Sequence, residues 1–495
     1  DTSHCLVGSE MCIRDSRGNG KGGGIAAVGL SAQDLGVSQQ ILDTHYMLQI
    51  ALLDSEARQE VEAANVAPYL EVHKAQQLPT ADDYRDIEGL EVKPPDVYRY
   101  FVRVKQDVLD RFIDENHLQD LDPQKAEDEF IYQNSTRLNQ TFYASLGEQR
   151  AFVLSHGRNI MILKIVGYAE KVVQYYLLEN FRAHGWIAHQ RYPTKGRVWH
   201  PGGAHPFSGM DEALVHNGDF ANYHAVSEYL KQHNIYPQFL TDTEVSVLLF
   251  DLWNRTFDYP MEYIIEAMAP TTEHDFDRLT PEKQHIYRYI QSGHIHASPD
   301  GPWFFIIARN NPHKNVFQLI GITDTSMLRP QVFALQEGDV QIGLICSEKQ
   351  AIDATLQSIA AEDDRFCPVA DKYWNARGGS ATDGGAFIFT VRDAGKEDGS
   401  KELICTDKFG TAVHTPSGQQ HFRHAHTPAL PISGHEDAIT KTVMEKLIAD
   451  PAGLKSQCTR EIAAWDYATL KDLCEVLHIQ AQKDDRAKIN AIEVL

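Results

Sequence analysis

Short stretches of strand character are mixed with helical stretches along this chain, and this mixture restricts its fold more than any other feature. Apolar, β-branched segments at 151–157, 159–167 and 303–310 predict strands. The segments 222–234 and 241–254 have helical periodicity. The repeated strand–helix–strand spacing of a Rossmann sheet is not found. We therefore expect an α+β architecture in which sheets and helices form packed layers.

Composition excludes several classes of function. Hydrophobic residues make up 42% of the 495 residues, enough for a large core. The 69 acidic residues outnumber the 46 basic ones and give a net charge of −23, which argues against binding to nucleic acid or to an anionic membrane. No apolar run approaches the roughly 20 residues of a membrane-spanning helix. The seven cysteines form no CxxC pair, as expected of free thiols in a reducing cytoplasm.

Polar residues follow three buried elements and suggest a binding site. Arg191 and Thr194 lie at the exit of a strand, Asn217 and Gly218 are predicted in a tight turn after another, and Asp242 begins a helix. An arginine can hold a carboxylate and an aspartate can hold an ammonium group. An asparagine N–H with a glycine backbone N–H can stabilise an oxyanion. Together these groups suit an α-amino acid whose side-chain carbonyl is attacked.

Each of these signals also has a simpler interpretation. Asn217 and Gly218 could form a hairpin turn, Arg191 a surface ion pair, and the segment 241–244 a helix cap. The two histidine groups, "GHIH" at 293–296 and "HFRHAH" at 421–426, favour surface histidines over a metal site, because no acidic or cysteine partner has suitable spacing. We expect no metal and no cofactor in this chain.

The sequence motifs between residues 188 and 245 resemble those of a known family. The series "AHQRYPT", "HPFS", "ALVHNGDFANY" and "TDTEV" is similar to the class-II glutamine amidotransferases, which are N-terminal nucleophile hydrolases. Upstream, "RGNGKGGGIA" resembles the family's early RG…G element. The finer resemblance is to glutamate synthase-related amidotransferase proteins. Downstream, a late D…RP…SE pattern is matched by Asp324, Arg329, Pro330, Ser347 and Glu348.

This resemblance implies both a fold and an activity. The fold would be a four-layer αββα sandwich, here with insertions and a C-terminal helical tail. The activity would be the hydrolysis of L-glutamine to glutamate and ammonia for a synthase partner. Arg191 and Thr194 would hold the carboxylate side of the substrate, Asp242 the α-amino group, and Asn217 with Gly218 the oxyanion.

Two further roles follow from the resemblance. His216 would be a positioning or packing residue in the substrate pocket. The nucleophile would be the thiol of an N-terminal cysteine, with its own α-amine as the base. Residue 1 is Asp, and Cys12 lies too close to Arg17 to leave room for the first strand. The nucleophilic cysteine is therefore not found, and the alternative function is a catalytically inactive pseudo-amidotransferase that binds glutamine or acts as a scaffold.

The two ends of the chain set the expected domain organisation. The segment "CLVGSEMCIRDS" resembles translated sequencing-adapter read-through, the alternative being a disordered native terminus. The acidic insertions are candidate docking surfaces for a partner. We expect a non-native segment at 1–16, an amidotransferase type-2 domain at 17–415 with insertions near 68–150 and 253–300, a linker at 416–434, and a truncated helical tail at 435–495.

The first prediction concerns activity. This chain should release no ammonia from glutamine, because the nucleophile is missing, whereas a longer version that begins with cysteine should release it. A coupled ammonia assay on both proteins measures the difference. Hydrolysis by this chain that is lost in Cys12→Ser would contradict the prediction.

Overall fold

The computed structural model describes residues 22–190, 200–328, 331–337, 340–396 and 400–415, together with the backbone of 4–9. Within these ranges the chain forms three sheets. Their strands are β1 His4–Ser9, β2 Gly23–Leu30, β3 Tyr46–Leu52, β4 Leu70–Gln77, β5 Asp96–Val104, β6 Ala151–Ser155, β7 Ile160–Ile165, β8 Ala183–His189, β9 Phe207–Ser208, β10 Glu212–Gly218, β11 Trp303–Asn311, β12 Val316–Thr323, β13 Val332–Gln336, β14 Gln341–Cys346, β15 Lys372–Trp374, β16 Ala386–Asp393 and β17 Lys401–Asp407.

Helices connect the strands in the same ranges. They are α1 Ala32–Leu35, α2 Gln39–Thr44, α3 Ala57–Val61, α4 Gln106–Glu115, α5 Pro123–Phe142, α6 Ala169–Tyr175, α7 Tyr223–Gln232, α8 Asp242–Asp251, α9 Met261–Met268, α10 Glu273–Phe276, α11 Pro281–Gly293 and α12 Lys349–Glu362. The strands and helices predicted at 151–167, 222–254 and 303–310 are therefore confirmed.

Two large sheets pack face to face. The seven-stranded sheet has the order β15-β13-β14-β1-β8-β2-β7, and the six-stranded sheet has the order β17-β16-β12-β11-β10-β9. Val28 and Ile162 of the first sheet lie in one buried cluster with Val215 and Phe304 of the second. Because successive side chains of a strand point to opposite faces, each sheet has a second apolar face that must also be covered.

Helices cover the outer face of the six-stranded sheet. Val226 of α7, Leu249 of α8, Ile265 of α9 and Tyr287 of α11 are buried in one cluster with Ile307 of β11. Each helix places an apolar stripe on the sheet, as expected for helices at the surface of a domain. This layer also holds the start of α8, where the sequence places Asp242.

The outer face of the seven-stranded sheet is covered in two different ways. Over β14, Leu356 of α12 packs on Leu344, as a helical outer layer predicts. Over β2 and β7, the cover is the third sheet, of order β4-β5-β3-β6, and Phe152 of β6 packs on Ile25 and Leu163. A sheet therefore takes the place of helices over part of this face, a difference from the expected arrangement.

Both segments predicted as insertions contribute to the core. In the segment 68–150, β5 pairs with β3, and Phe130 of α5 is buried with Val102. In the segment 253–300, α9 places Ile264 in the cluster beneath the helical layer. Only their exposed faces can serve as docking surfaces. No helix in the described part of the chain is long and apolar enough to cross a membrane.

A buried ion pair ties α5 to the turn between β6 and β7. The Arg158 guanidinium donates to Asp128 Oδ1 at 2.7 Å and to the Tyr46 hydroxyl at 3.0 Å. The Tyr46 hydroxyl donates to the same carboxylate oxygen at 2.6 Å. The two charged side chains are only 2% and 5% exposed. Removal of one charge would thus leave the other without its hydrogen-bonded partner in a buried position.

We expect Asp128→Asn to lower the free energy of unfolding by about 3 to 5 kcal/mol, because the Arg158 charge would lose its counter-ion. The double variant Asp128→Leu/Arg158→Met should recover much of this loss, since it removes both buried charges. Urea denaturation measures all three proteins.

The matched control is the exposed pair of Lys231 and Glu228, which join at 2.6 Å. Glu228→Gln should change the free energy of unfolding by about 0.5 kcal/mol or less, because solvent screens exposed pairs. Equal losses in Glu228→Gln and Asp128→Asn would contradict the assignment of a structural role to the buried pair.

Candidate functional site

Strand β10 carries Asn217 and Gly218 at its C-terminal end. Asn217 is paired with Phe304 and Gly218 with Trp303 of the antiparallel neighbour β11. The predicted tight turn at these two residues is wrong, and so is the hairpin alternative, because the strand continues through Gly218. The cross-strand hydrogen bonds prevail over the turn preference of Asn-Gly. The pair thus lies at the end of a sheet strand, and Asn217 is buried.

Gly218 adopts a backbone conformation that a larger residue cannot share. Its φ is +132°, in the region that favours glycine. A Cβ atom at this position would lie 2.1 Å from the Pro302 carbonyl oxygen and 2.7 Å from the Trp303 Cα. The backbone of β11 therefore passes directly against Gly218, which explains why glycine is required here.

Asp242 begins α8, as predicted. The hydroxyl of Thr241 accepts a hydrogen bond from the Glu244 backbone N–H at 3.1 Å and caps the helix. Helix α8 lies against β10, and Asp242 Oδ1 is 3.6 Å from Nδ1 of His216, the residue before Asn217. The packing of the helix on the sheet thus brings the predicted amine holder beside the predicted oxyanion strand.

The hydroxyl of Thr243 connects three parts of this site. It lies 2.7 Å from His205 Nε2 and 3.5 Å from His216 Nδ1. The His205 ring in turn lies against the ring of His189 at the end of β8, with 4.1 Å between the ring centroids. Asp242, the neighbour of Thr243, completes a buried group that links β8, β10 and α8.

Sequence reasoning missed His189, His205 and Thr243 as members of the site. All three lie inside the quoted "AHQRYPT", "HPFS" and "TDTEV" stretches, so the signal was present. What the sequence did not show is that His205 and His216 meet at the Thr243 hydroxyl, with His189 against the His205 ring. His216 is buried beside Asp242, and its positioning or packing role stays a prediction.

Burial and neighbours set the charges of the site. Burial by itself would raise the pKa of Asp242, but the hydrogen bond and charge of His216, with bonds from Thr243, leave that pKa below its usual value. Asp242 is therefore a carboxylate at neutral pH. Burial, with the nearby charges of His189 and His216, lowers the pKa of His205 well below that of an ordinary histidine. His205 is therefore neutral.

The expected carboxylate holders cannot be placed. Arg191 and Thr194 lie outside the described residues, as do Arg329 and Pro330 of the late pattern. Strand β8, which precedes Arg191, ends beside the His205 ring.

The remaining members of the late pattern lie at the ends of strands. Asp324 follows β12 and accepts a hydrogen bond from the Ser326 backbone N–H at 2.7 Å, while Ser347 follows β14 and Glu348 precedes α12.

The histidine groups proposed as surface features differ in the structure. His294 is buried, with its ring nitrogens 3.0 Å and 3.1 Å from the hydroxyls of Tyr229 and Tyr259, so its placement in a surface loop is wrong. His421 and its neighbours lie outside the described residues. Within the described ranges, no group of three His, Cys, Asp or Glu residues could hold a metal ion.

Comparison with known proteins gives limited similarity. No family model matches the chain. An uncharacterized protein of Archaeoglobus fulgidus is 29% identical over 364 residues, which cover 73% of this chain and 83% of that protein. The glutamine amidotransferase-like protein GlxB of Rhizobium meliloti is 34% identical over 95 residues. That match covers 19% of this chain and 31% of GlxB, so the chain spans about a third of the length of this relative.

A solved structure also matches part of the chain. Glutamine phosphoribosylpyrophosphate amidotransferase from B. subtilis matches with 18% identity and a TM-score of 0.27, over 49% of this chain and 40% of the other. A similarity of this size carries no argument about the fold. The likeness to glutamine amidotransferases thus rests on a partial relative and on the site itself.

The neutral state of His205 predicts a pH dependence. Its pKa is depressed in the folded state, so its stabilising contribution is complete above the ordinary histidine pKa of about 6.5 and is lost as pH falls below it. Between pH 7.5 and pH 5.0, this residue alone should cost about 2 kcal/mol of unfolding free energy. Urea denaturation at both values should show a smaller loss in His205→Gln than in the wild type.

Other histidines act in the same direction, so the comparison between variants isolates His205. Burial lowers the pKa of both His156 and His200 to about 4. The exposed His224 is the matched control, and His224→Gln should keep the wild-type pH dependence. An unchanged pH dependence in His205→Gln would show that His205 does not resist protonation in the folded protein.

Proposed function

We propose that this chain binds L-glutamine between the end of β10 and the start of α8, in the manner of a class-II glutamine amidotransferase domain. The observation that carries the proposal is the approach of Asp242 Oδ1 to 3.6 Å from His216 Nδ1. This contact joins the amine holder to the strand of Asn217 and Gly218, although the two motifs are separate in the sequence. The partial likeness to GlxB supports the same class.

Each group of the pocket has a defined task. The Asp242 carboxylate pairs with the α-ammonium group of glutamine. The Asn217 side-chain amide and the Gly218 backbone N–H donate to the oxygen of the amide under attack, and one such donor accelerates acyl transfer by roughly 10² to 10³. Arg191 and Thr194, which follow β8 in the sequence, take the α-carboxylate. The pocket therefore recognises a free amino acid with a side-chain amide.

The reaction proposed for a complete protein is acyl transfer to a thiol. The thiol of an N-terminal cysteine adds to the side-chain amide carbon, the C–N bond breaks, and ammonia leaves with the proton delivered by the α-amine. Water then cleaves the thioester to give glutamate. The ammonia would pass to a synthase partner, related to glutamate synthase, and the two facing sheets with their outer layers would correspond to the four-layer αββα sandwich.

The test measures glutamine binding, which does not need the nucleophile. Asp242→Asn should lower the affinity for L-glutamine by about tenfold or more, because an ion pair with the α-ammonium group is lost. Isothermal titration calorimetry of both proteins measures the change.

Two controls make the assignment specific. Glutaramic acid lacks the α-amino group, so its weaker binding should be the same in the wild type and in Asp242→Asn. Asp393→Asn, at an exposed position on β16, should bind glutamine as the wild type does. Equal glutamine affinity in Asp242→Asn and the wild type would overturn the proposal.

A further inference from the structure

A lysine is buried at one wall of a cavity without an anionic partner. Lys164 of β7 is only 3% exposed, and its Nζ donates to the Gly202 carbonyl oxygen at 3.4 Å. Its other neighbours are the faces of two phenyl rings, with Nζ 3.8 Å from the centroid of Phe207 and 5.4 Å from that of Phe239. In the part of the chain that the structure describes, no carboxylate lies within 4 Å of Nζ.

The nearby carboxylate of Glu244 is already engaged. It accepts hydrogen bonds from the backbone N–H groups of Gln238, Phe239 and Leu240, at 2.5, 2.8 and 3.0 Å. This side chain therefore fixes the loop that precedes α8. It acts on Lys164 through its charge over a longer distance. An unpaired ammonium group in a buried position is costly, so the arrangement calls for an anion.

The cavity beside Lys164 has the size and lining of a small ligand site. Its volume is about 70 Å³, and its walls come from α5, β6, β7, β9, α8 and the loop at 234–239. Asn139 lines it, and because the Asn139 Oδ1 accepts from the Val153 backbone N–H at 2.8 Å, the side-chain NH₂ is left to donate. Leu154 and Ile235 add apolar surface.

The cavity therefore has a polar part and an apolar part. The polar part offers a cation and an amide donor, and the apolar part is formed by aliphatic and aromatic side chains. A volume of this kind holds about five waters, or one molecule of about four to six heavy atoms. A carboxylate headgroup with a short aliphatic tail matches both the size and the two kinds of surface.

We propose that this cavity is a binding site for a short-chain monocarboxylate, whose headgroup pairs with Lys164 and whose tail lies between Phe207, Phe239 and Leu154. The site uses none of the residues assigned to glutamine. It is formed jointly by α5 and the loop before α8, so its occupant would bridge the segment 68–150 to the helical layer.

Protonation sets the conditions of binding. Burial lowers the pKa of Lys164 to about 7, so the ammonium form is partly lost at neutral pH and a bound carboxylate would restore it. Binding should therefore take up protons and should weaken as pH rises from 6.5 to 8.5. The titratable groups that line the cavity or act on Lys164 through their charge are Glu244, His156, His200, His205, Tyr132 and Tyr236.

Glu244 acts in the same direction, because burial raises its pKa to about 7 and its ionisation at higher pH repels an anion. His156 and His200, with pKa values near 4, and His205 stay neutral over this range. Burial raises the pKa of Tyr132 above this range. The pH effect on binding is thus assigned to Lys164 and Glu244 together.

The experiment compares propionate with propionamide, a neutral molecule of nearly the same shape. At pH 6.5, propionate should raise the melting temperature of the full chain in a saturable way, and propionamide should not. Lys164→Met should lower the propionate affinity by about tenfold or more, while Lys93→Met, at an exposed position, should leave it unchanged. Calorimetry in two buffers of different ionisation enthalpy measures the proton uptake.

Two further measurements keep the test decisive. Lys164→Met replaces an unpaired buried charge by an apolar side chain of similar length, so its melting temperature without ligand should not fall, and Lys164→Gln provides a second neutral variant. Crystals soaked with propionate should show its carboxylate beside Nζ and its tail between Phe207, Phe239 and Leu154. No stabilisation by propionate, equal affinity in Lys164→Met, or propionate found only elsewhere would overturn the proposal.

Discussion

The hydroxyl of Thr243 is the contact on which the geometry of the site depends. It joins His205 and His216 at one point, and so connects the first turn of α8 to a sheet strand and to the segment after β8. A hydroxyl can both donate and accept, so this one small group can bond to the rings of both His205 and His216. Because the group is buried, the loss of one member would leave unpaired polar atoms, and the group should therefore behave as a unit.

The third sheet covers a face of the seven-stranded sheet away from this buried group. The facing sheets supply a rigid base, and the strands β8 and β10 end on the side where α8 begins. The third sheet and α5 lie on the opposite face of β2 and β7 and are held there by the pair of Arg158 and Asp128. The two regions meet at Lys164 and its cavity, where side chains of α5 and of the loop before α8 line the same space.

The sequence predicted the local elements well where burial follows a simple period. The strands at 151–167 and 303–310 and the cap of α8 appear as expected, since apolar periodicity and capping chemistry are local properties. The turn at Asn217 failed because pairing with β11, a strand distant in sequence, overrides local preference. The third sheet was missed because the segment 68–150 is acidic, and its burial depends on the pairing of β4 with β5 and of β5 with β3.

For the site, the sequence motifs predicted Asn217, Gly218 and Asp242, and the structure brings β10 and the start of α8 together. It could not identify the role of Thr243 or Lys164, because a hydroxyl bridge and an unpaired buried ammonium group exist only through tertiary contacts. Likewise, nothing in the composition distinguishes the buried Arg158 from a surface arginine. The hydrogen bonds and charge pairing of these residues depend on distances in the folded protein and not on spacing in the sequence.

The segment that connects β10 to β11 determines how local unfolding would affect the site. The segment 219–302 leaves the sheet at Gly218 and returns at Trp303, its direct partner, with the Ala221 N–H bonded to the Asp300 carbonyl oxygen at 2.7 Å. The helical layer thus leaves and rejoins the sheet at paired positions of β10 and β11. Local opening of this layer would move Asp242 away from Asn217 and Gly218 at the end of β10. Under the proposed function, such a molecule would keep the oxyanion donors and lose the group that selects amino acids over other amides.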